Sequence, residues 1–216
     1  MRRVLVLSTL LLAGLPELQA QQPRLEITLP APAVIGRQGP SLRAIDVVSD
    51  AETRGLLQSG FPARLHFRVE LWSAGPIFDA MKNRAEWEVF VYYDALGKRY
   101  RVVRVEGAGD RITSAGQFGT FEDMVREVER RARVPIRAGP QRDRQYYIAL
   151  LEVESLSVTD LDEVGRWLRG EMQPAVRGDG NPGTALGRGL RRLFVRLLGA
   201  ARRNLQTRSP TFLVPG

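Results

Sequence analysis

The feature that most constrains the fold is a strict alternation of apolar and polar side chains between Ala63 and Trp72. The apolar positions are Leu65, Phe67, Val69 and Leu71, and the polar positions are Arg64, His66, Arg68 and Glu70. Because successive side chains of an extended chain point to opposite faces, this spacing predicts a β-strand with one buried face and one solvated face. A fold for this chain must therefore place an apolar layer against one side of this strand.

A β-hairpin is predicted further along the chain. Two strand-like runs, residues 86–93 and 98–106, flank a short turn that ends at Gly97. Placing Tyr93 opposite Lys98 gives a continuous apolar face across the two strands. The hairpin therefore predicts antiparallel pairing.

The remaining segments predict a mainly β chain with a few short helices. Strands are predicted at residues 25–29, 44–48 and 145–157, and residues 107–119 are predicted as a loop. Capping boxes that begin at Ser49 and Thr120 predict two helices, and Thr159 caps a third. Since strands outnumber helices and their patterns are antiparallel, the predicted class is mainly β (α+β), an antiparallel β-sandwich-like sheet with helices in the crossovers.

The chain divides into four predicted segments. They are a signal peptide at 1–20, a β-sandwich-like domain at 21–169, a Gly/Pro-rich loop or linker at 170–187, and a C-terminal segment at 188–216. In the last segment, apolar residues at helical spacing predict an amphipathic helix from Gly189 to Leu205, and residues 211–214 predict a closing edge strand. We expect this segment to pack on the domain.

Residues 1–20 have the three-part layout of a secretory signal peptide. Arg2 and Arg3 give a cationic start, residues 4–15 are almost entirely apolar, and a polar stretch leads to Ala20. The apolar stretch is shorter than the ~20 residues that a membrane-spanning helix needs. We therefore expect cleavage after Ala20 and a periplasmic or secreted protein, with retention at the inner membrane by an uncleaved signal as the alternative.

The excess positive charge is concentrated near the C-terminus. The chain has 32 lysines and arginines against 24 aspartates and glutamates, and residues 180–216 contain seven arginines and no acidic residue. The candidate partner contacts are Arg188, Arg191, Arg192, Arg196, Arg202 and Arg203. Either they face water from a helix that packs on the domain, or they bind an anionic membrane surface or an acidic envelope protein. Nucleic acid is disfavoured, because the chain is expected outside the cytoplasm and aromatic residues do not alternate with the arginines.

The predicted hairpin and the strand before it carry a family resemblance. The stretches concerned are Phe67–Trp72, Glu86–Trp87, Tyr93–Asp94, Lys98–Val103, Phe118–Val125 and the strand that starts near Tyr146. Over roughly residues 24–168, the chain resembles an uncharacterised family of exported bacterial proteins catalogued as domain of unknown function 4390. The resemblance implies an envelope protein, in some genomes encoded near sensor-kinase genes, and it implies no known reaction and no catalytic residues.

The composition removes several kinds of catalytic site. The chain has no cysteine, so thiol chemistry and thiolate metal sites are excluded, and a single histidine, His66, leaves almost no material for a histidine-based zinc site. His66 lies on the polar face of its strand and is expected to be exposed to solvent. The GxGxxG match at residues 178–183 contains Pro182 and follows no predicted strand, so it predicts a flexible connection and not a dinucleotide site.

Two carboxylate pairs keep a hydrolase as the alternative function. Glu86 and Glu88 share one strand face, as do Glu152 and Glu154, and paired carboxylates can hydrolyse glycosides. The predicted hairpin register, however, places Arg101 near Glu88, and cross-strand charge pairing accounts for that arrangement. The sequence therefore favours an exported, non-enzymatic binding or accessory protein, linked to envelope sensing through the resemblance, with no catalytic residue, cofactor or metal ligand assigned.

Overall fold

A computed structural model describes residues 22–106, 111–140, 144–155 and 202–214. In these ranges the strands are β1 (Arg24–Thr28), β2 (Ser41–Ile45), β3 (Ala63–Ser73), β4 (Ala80–Asp94), β5 (Arg99–Glu106), β6 (Arg111–Phe118), β7 (Ala132–Arg133), β8 (Gln145–Ser155) and β9 (Arg202–Arg208). The helices are α1 (Ala51–Gln58) and α2 (Phe121–Val128), with a 3-10 turn at Pro32–Val34. The predicted signal peptide lies outside the described residues.

The strands form two antiparallel sheets of unequal size. The larger sheet has six strands in the order β6-β5-β4-β3-β8-β9, and the smaller has three in the order β1-β2-β7. β3 lies inside the larger sheet and pairs along its whole length with β4 on one side and β8 on the other. The predicted fold class, a mainly β chain with antiparallel pairing, is confirmed.

One apolar core joins both sheets and both helices. Leu65 and Val69 on β3 are fully buried, as the alternation of apolar residues predicts. Leu42 of β2, at 2% exposed, and Met124 of α2, at 0%, belong to the same cluster. The apolar face of β3 therefore packs into a core to which the smaller sheet and α2 both contribute.

The two helices lie in the connections between the sheets, as predicted. α1 connects β2 to β3, and α2 connects β6 to β7. The Thr120 cap is confirmed, since its Oγ1 accepts a hydrogen bond from the Asp123 amide at 3.1 Å. The Ser49 cap is wrong by one residue, because Asp50 caps α1 by accepting from the Thr53 amide at 2.7 Å. No helix in the described ranges has both the length and the apolar character needed to cross a membrane.

Two stretches form more strand than the sequence predicts. β4 begins at Ala80 and not at Glu86, and β6 occupies most of the predicted loop at 107–119. β6 is an edge strand with a bulge, where Gly116 has φ 140°. Because an edge strand has one neighbour and its side chains here are largely exposed, it lacks the alternation that reveals a central strand.

The predicted hairpin exists, but its register is wrong by two residues. Tyr93 pairs with Tyr100 and Asp94 with Arg99, which leaves residues 95–98 as the loop. Lys98 lies in this loop with φ 49°, a left-handed conformation that does not fit a strand. Because side chains alternate with a period of two, this shift preserves the predicted faces and changes only the partners.

The tail departs most from the sequence prediction. Residues 156–201, which include the predicted helix at Thr159, the linker and most of the predicted amphipathic helix, lie outside the described residues. From Arg202 the chain is strand β9, paired antiparallel with β8, so a helix that extends to Leu205 is wrong. The predicted strand at 211–214 is reduced to one bridge between Phe212 and Gln145, and β9 forms the sheet edge in its place.

Gly39 and Gly55 give a matched test of this packing. A Cβ on Gly39 would lie well inside contact distance of the backbone oxygens of Val134 and Ile136, whereas Gly55 in α1 has open space. We expect Gly39→Ala to lower the free energy of unfolding by about 1–3 kcal/mol. Gly55→Ala should raise it by about 0.5–1 kcal/mol, because alanine favours a helix. Urea denaturation followed by circular dichroism measures both, and equal stability of the two variants would contradict the packing at Gly39.

Candidate functional site

The larger sheet bears two adjoining concavities, which together we name the Trp87 cleft. The inner cavity, of about 280 Å³, is lined mainly by apolar residues of both sheets and by the end of α2. The outer groove, of about 550 Å³, is lined by β4, the facing ends of β5 and β6, and Pro135. Trp87 and Arg104 line both concavities and therefore form the wall that they share.

Strand pairing fixes the position of Trp87. Trp87 lies opposite Phe67 in the β3–β4 register, and the two rings stack with centroids 5.0 Å apart and planes 6° from parallel. On the side of β5, the guanidinium carbon of Arg104 lies 4.8 Å from the centroid of the Trp87 ring. A cation over an aromatic face contributes about 0.5–1 kcal/mol at a partly exposed site. The indole is therefore held from both neighbouring strands.

Arg104 keeps donor groups for a ligand. Its Nε donates a hydrogen bond to Glu106 Oε1 at 2.8 Å, and its side chain is 25% exposed. Among the side-chain nitrogens of Arg104, only Nε donates a hydrogen bond to another described residue. The two terminal nitrogens are therefore able to bind an anion, and the planar guanidinium suits a carboxylate.

The segment after α2 brings more arginines to the mouth of the inner cavity. Glu129 anchors this segment to β2, because its Oε1 accepts from the Asp46 amide at 2.7 Å and its carbonyl accepts from Arg43 Nε at 3.2 Å. Burial raises the pKa of the Glu129 carboxyl above its usual value. Arg130 and Arg131 follow directly and line the cavity. Because α2 ends at Val128, just before these two arginines, the mouth of the inner cavity is basic.

Each described carboxylate that lines the cleft is paired with an arginine. Glu106 pairs with Arg104 at 2.8 Å and with Arg111 at 3.7 Å. The other two pairs are Glu127 with Arg130 at 2.8 Å and Glu86 with Arg84 at 3.7 Å. The described residues that line the cleft include no serine, threonine, histidine or aspartate. The arrangement therefore suits recognition of an anionic ligand that carries an apolar group.

The opposite face of the larger sheet contains a buried ionic triad formed by Arg64, Glu88 and Glu154. Arg64 on β3 donates one hydrogen bond to Glu154 on β8, at 3.0 Å, and another to Glu88 on β4. The side chain of Arg64 is 10% exposed and that of Glu154 is 3% exposed. The predicted contact of Glu88 with Arg101 is wrong, because Arg101 bonds to Asp94 at 2.8 Å. A hydrolase would use the pair Glu86 and Glu88 or the pair Glu152 and Glu154. Arg64 binds one member of each pair.

His66 lies beside this triad and is half-buried, so its expected exposure is wrong in degree. Its partners in the strand register are Glu88 on β4 and Glu152 on β8. Within the described ranges, no group of three or more His, Cys, Asp or Glu side chains comes together in a way that suits a metal ion.

The arginines predicted as partner contacts are only partly described. Arg188, Arg191, Arg192 and Arg196 lie outside the described residues, as does the GxGxxG match. Arg202 begins β9 and pairs in register with Glu154. Their role in binding a partner stays a prediction.

Arg203 makes contacts inside the fold from its place on β9. Its Nη2 donates to Asp50 Oδ2 at 3.0 Å and to Thr53 Oγ1 at 3.1 Å. Partial burial opposes ionisation of Asp50, but hydrogen bonds from Thr53 and Arg203 outweigh it, so the pKa of Asp50 lies below its usual value. Arg203 thus stabilises the N-cap of α1.

The fold and the cleft define a mainly β protein with two antiparallel sheets and an arginine-lined recess next to the smaller one. The chain belongs to the family described as a domain of unknown function, DUF4390, whose model matches residues 42–168. The match begins in β2 and includes Trp87 and Arg104. No curated protein and no solved structure matches the chain.

Sequence reasoning missed the Trp87 cleft. Trp87 lies between Glu86 and Glu88 in the sequence, and its strand face is correctly predicted as apolar. The sequence does contain one indication of the cleft. On the face of β5 that points to the core, the apolar residues Tyr100 and Val102 are followed by the charged residues Arg104 and Glu106. Two charged residues at the end of an apolar strand face indicate where that face stops packing on the core and becomes exposed to solvent.

The ionic triad gives a test of whether its carboxylates are structural. We expect Arg64→Met to lower the free energy of unfolding by about 3–5 kcal/mol, because it removes the guanidinium that bonds to both the buried Glu154 and Glu88. Arg68→Met is the matched control on the same strand face, since Arg68 is 41% exposed and pairs with Glu70 at 3.1 Å. Arg68→Met should lower the free energy of unfolding, measured by urea denaturation, by less than about 1 kcal/mol. Equal losses for the two variants would show that the triad does not stabilise the sheet.

Proposed function

We propose that the protein is an exported, non-enzymatic binding protein of the cell envelope and that it binds an acidic polypeptide in the Trp87 cleft. The observation that carries the proposal concerns the described residues: every carboxylate among them that lines the cleft is paired with an arginine, while the terminal nitrogens of Arg104 have no partner. A ligand carboxylate would complete the hydrogen bonds of Arg104. An apolar side chain next to it would enter the inner cavity beside Trp87.

The charges at the mouth favour an acidic ligand. Arg104, Arg130 and Arg131 line the inner cavity together with a single acid, Glu127. Electrostatic complementarity of this kind raises the association rate and excludes basic partners. Arg130 and Arg131 are both exposed, so a partner can reach them without rearrangement of the core.

The same observations weigh against the hydrolase alternative. Glycoside hydrolysis requires one carboxyl group as an acid and a second as a base or nucleophile. Arg64 instead holds Glu88 and Glu154 on the far face, and the cleft carboxylates are bound to arginines. A carboxylate whose oxygens already accept from a guanidinium is held away from the position that an acid or a nucleophile needs at a substrate. Binding is therefore the function that the geometry supports best.

Peptide titration tests the cleft. The probe is a fluorescein-labelled soluble peptide in which glutamates alternate with leucines, and its charge-reversed counterpart has lysines in place of glutamates. We expect residues 21–216 to bind the acidic probe and to bind the basic one far more weakly. Arg104→Gln should weaken binding of the acidic probe about tenfold, because one charge-assisted hydrogen-bond pair is lost. Fluorescence anisotropy measures each dissociation constant.

Arg101→Gln is the matched control for this titration. Arg101 lies on the same strand but on the opposite face, and it bonds to Asp94 as Arg104 bonds to Glu106. It should leave the affinity unchanged. Equal weakening by the two variants, or equal binding of both probes, would reject the cleft as the binding site, and near-UV circular dichroism checks that each variant is folded.

Export has its own test. We expect the protein recovered from the envelope fraction of the producing cells to begin at Gln21, because the sequence of residues 1–20 has the layout of a cleaved signal. N-terminal sequencing of that fraction makes the measurement. Recovery of a soluble cytosolic protein that still begins at Met1 would refute export, whatever the outcome of the peptide titration.

A further inference from the structure

One end of the larger sheet combines exposed apolar side chains with cations. At this end, which we name the β3–β4 end, Ser73 pairs with both Ala80 and Gln145, and Phe212 bridges Gln145. Four of the five exposed large apolar side chains among the described residues belong to it. They are Ile77 at 80% exposed, Phe78 at 84%, Met81 at 48% and Leu213 at 51%. Isolated exposed apolar residues are ordinary, but four at one end form a patch that calls for a partner.

The loop between β3 and β4 presents this patch outward. A Cβ on Gly75 would clash with the carbonyl oxygen of Phe78, so the loop closes tightly on itself and needs glycine at that position. Because the loop is closed at its base, Ile77 and Phe78 project at its tip. Both side chains are more than three quarters exposed, so they protrude from the surface and do not line a groove.

Cations surround the tip. Lys82 is exposed and has no ion pair with any described residue. Arg144 lies beside the loop, since its carbonyl accepts from the Ala74 amide at 2.7 Å, and Arg208 lies over the Tyr146 ring at 3.7 Å. All three side chains belong to exposed residues. The charge behind the apolar tip is therefore positive.

The acids nearby are already bonded. Asp79 Oδ2 accepts a hydrogen bond from the Tyr146 hydroxyl at 2.6 Å. Glu70, further from the end, accepts from Trp72 Nε1 at 2.9 Å and is 13% exposed. Both carboxylates keep their negative charge, so they reduce the positive charge at this end but are outnumbered by the three cations.

We propose that the β3–β4 end docks on an anionic lipid bilayer, with Ile77 and Phe78 inserted among the acyl chains and Lys82, Arg144 and Arg208 at the level of the headgroups. A fluid bilayer accepts a convex apolar tip without shape complementarity, and anionic headgroups attract cations placed behind it. The proposal goes beyond ligand binding in the Trp87 cleft, because it depends on different residues and would place that cleft close to a membrane surface.

Vesicle sedimentation tests the docking. The chain from Gln21 onward is mixed with phosphatidylcholine vesicles that contain about one third phosphatidylglycerol, and with vesicles of phosphatidylcholine alone. We expect binding to the anionic vesicles, and we expect Ile77→Ser combined with Phe78→Ser to weaken it at least about tenfold. Leu96→Ser is the matched control, because Leu96 is 99% exposed in the β4–β5 turn, and it should bind as the unchanged chain does. All these side chains are exposed, so the substitutions leave the core intact.

A charge variant and an insertion reporter complete the test. Lys82→Gln with Arg144→Gln should bind the anionic vesicles several-fold more weakly, whereas Lys98→Gln with Arg99→Gln, at the β4–β5 turn, should not. Phe78→Trp should show blue-shifted emission on vesicle binding and quenching by brominated lipid, and Leu96→Trp should show neither. The proposal is overturned if the tip variant binds as well as the Leu96 variant, or if the unchanged chain fails to bind vesicles. If the unchanged chain does not bind vesicles and the Ile77→Ser, Phe78→Ser variant loses a protein partner, this end of the sheet is a protein-binding surface.

Discussion

The buried face of β3 is the constraint on which the rest of the structure depends. β3 pairs along its whole length with β4 and β8, and Leu65 and Val69 at its centre are fully buried. A one-residue slip against either neighbour would turn this face to solvent and bring charged side chains into the core. The register of the central strands is therefore strongly specified, and it sets the position of everything attached to them. The stack of Phe67 on Trp87 and the ion pairs of Arg64 both follow from it.

The unequal size of the two sheets gives the protein its candidate functional surfaces. In the part of the chain that the structure describes, three strands pack against a six-stranded sheet, and the core-facing side of the larger sheet becomes polar at one end. Along β5 this change is visible, because Tyr100 and Val102 are nearly fully buried while Arg104 is 25% exposed and Glu106 39%. The Trp87 cleft forms at this boundary. The first part of β4 extends past β5 and carries the exposed tip at the β3–β4 end.

The sequence predicts what is periodic and local, and it fails where pairing is distant. The faces of β3, β4 and β5 and the Thr120 cap follow from alternation and spacing. The partner of Glu88 does not, because Arg64 is on a different strand and the hairpin alone offers Arg101 as the nearest cation. The same limit explains the tail. Leu205 fits the apolar stripe of the predicted helix, but pairing of residues 202–208 with β8 makes this segment a strand. Tertiary hydrogen bonds outweigh a local helical preference of a few tenths of a kcal/mol per residue.

The basic composition of the chain does not by itself identify a binding surface, because arginines do several different things in this structure. Arg64 neutralises buried carboxylates, and Arg203 stabilises the cap of α1 through Asp50. Arg104 differs from both, since its aromatic stack and its bond to Glu106 hold the guanidinium in place and leave its terminal nitrogens for a ligand. A guanidinium that is already fixed loses little conformational entropy when it binds an anion. Pre-organisation, and not net charge, therefore distinguishes a recognition arginine from the structural ones, and among the described residues this criterion favours Arg104.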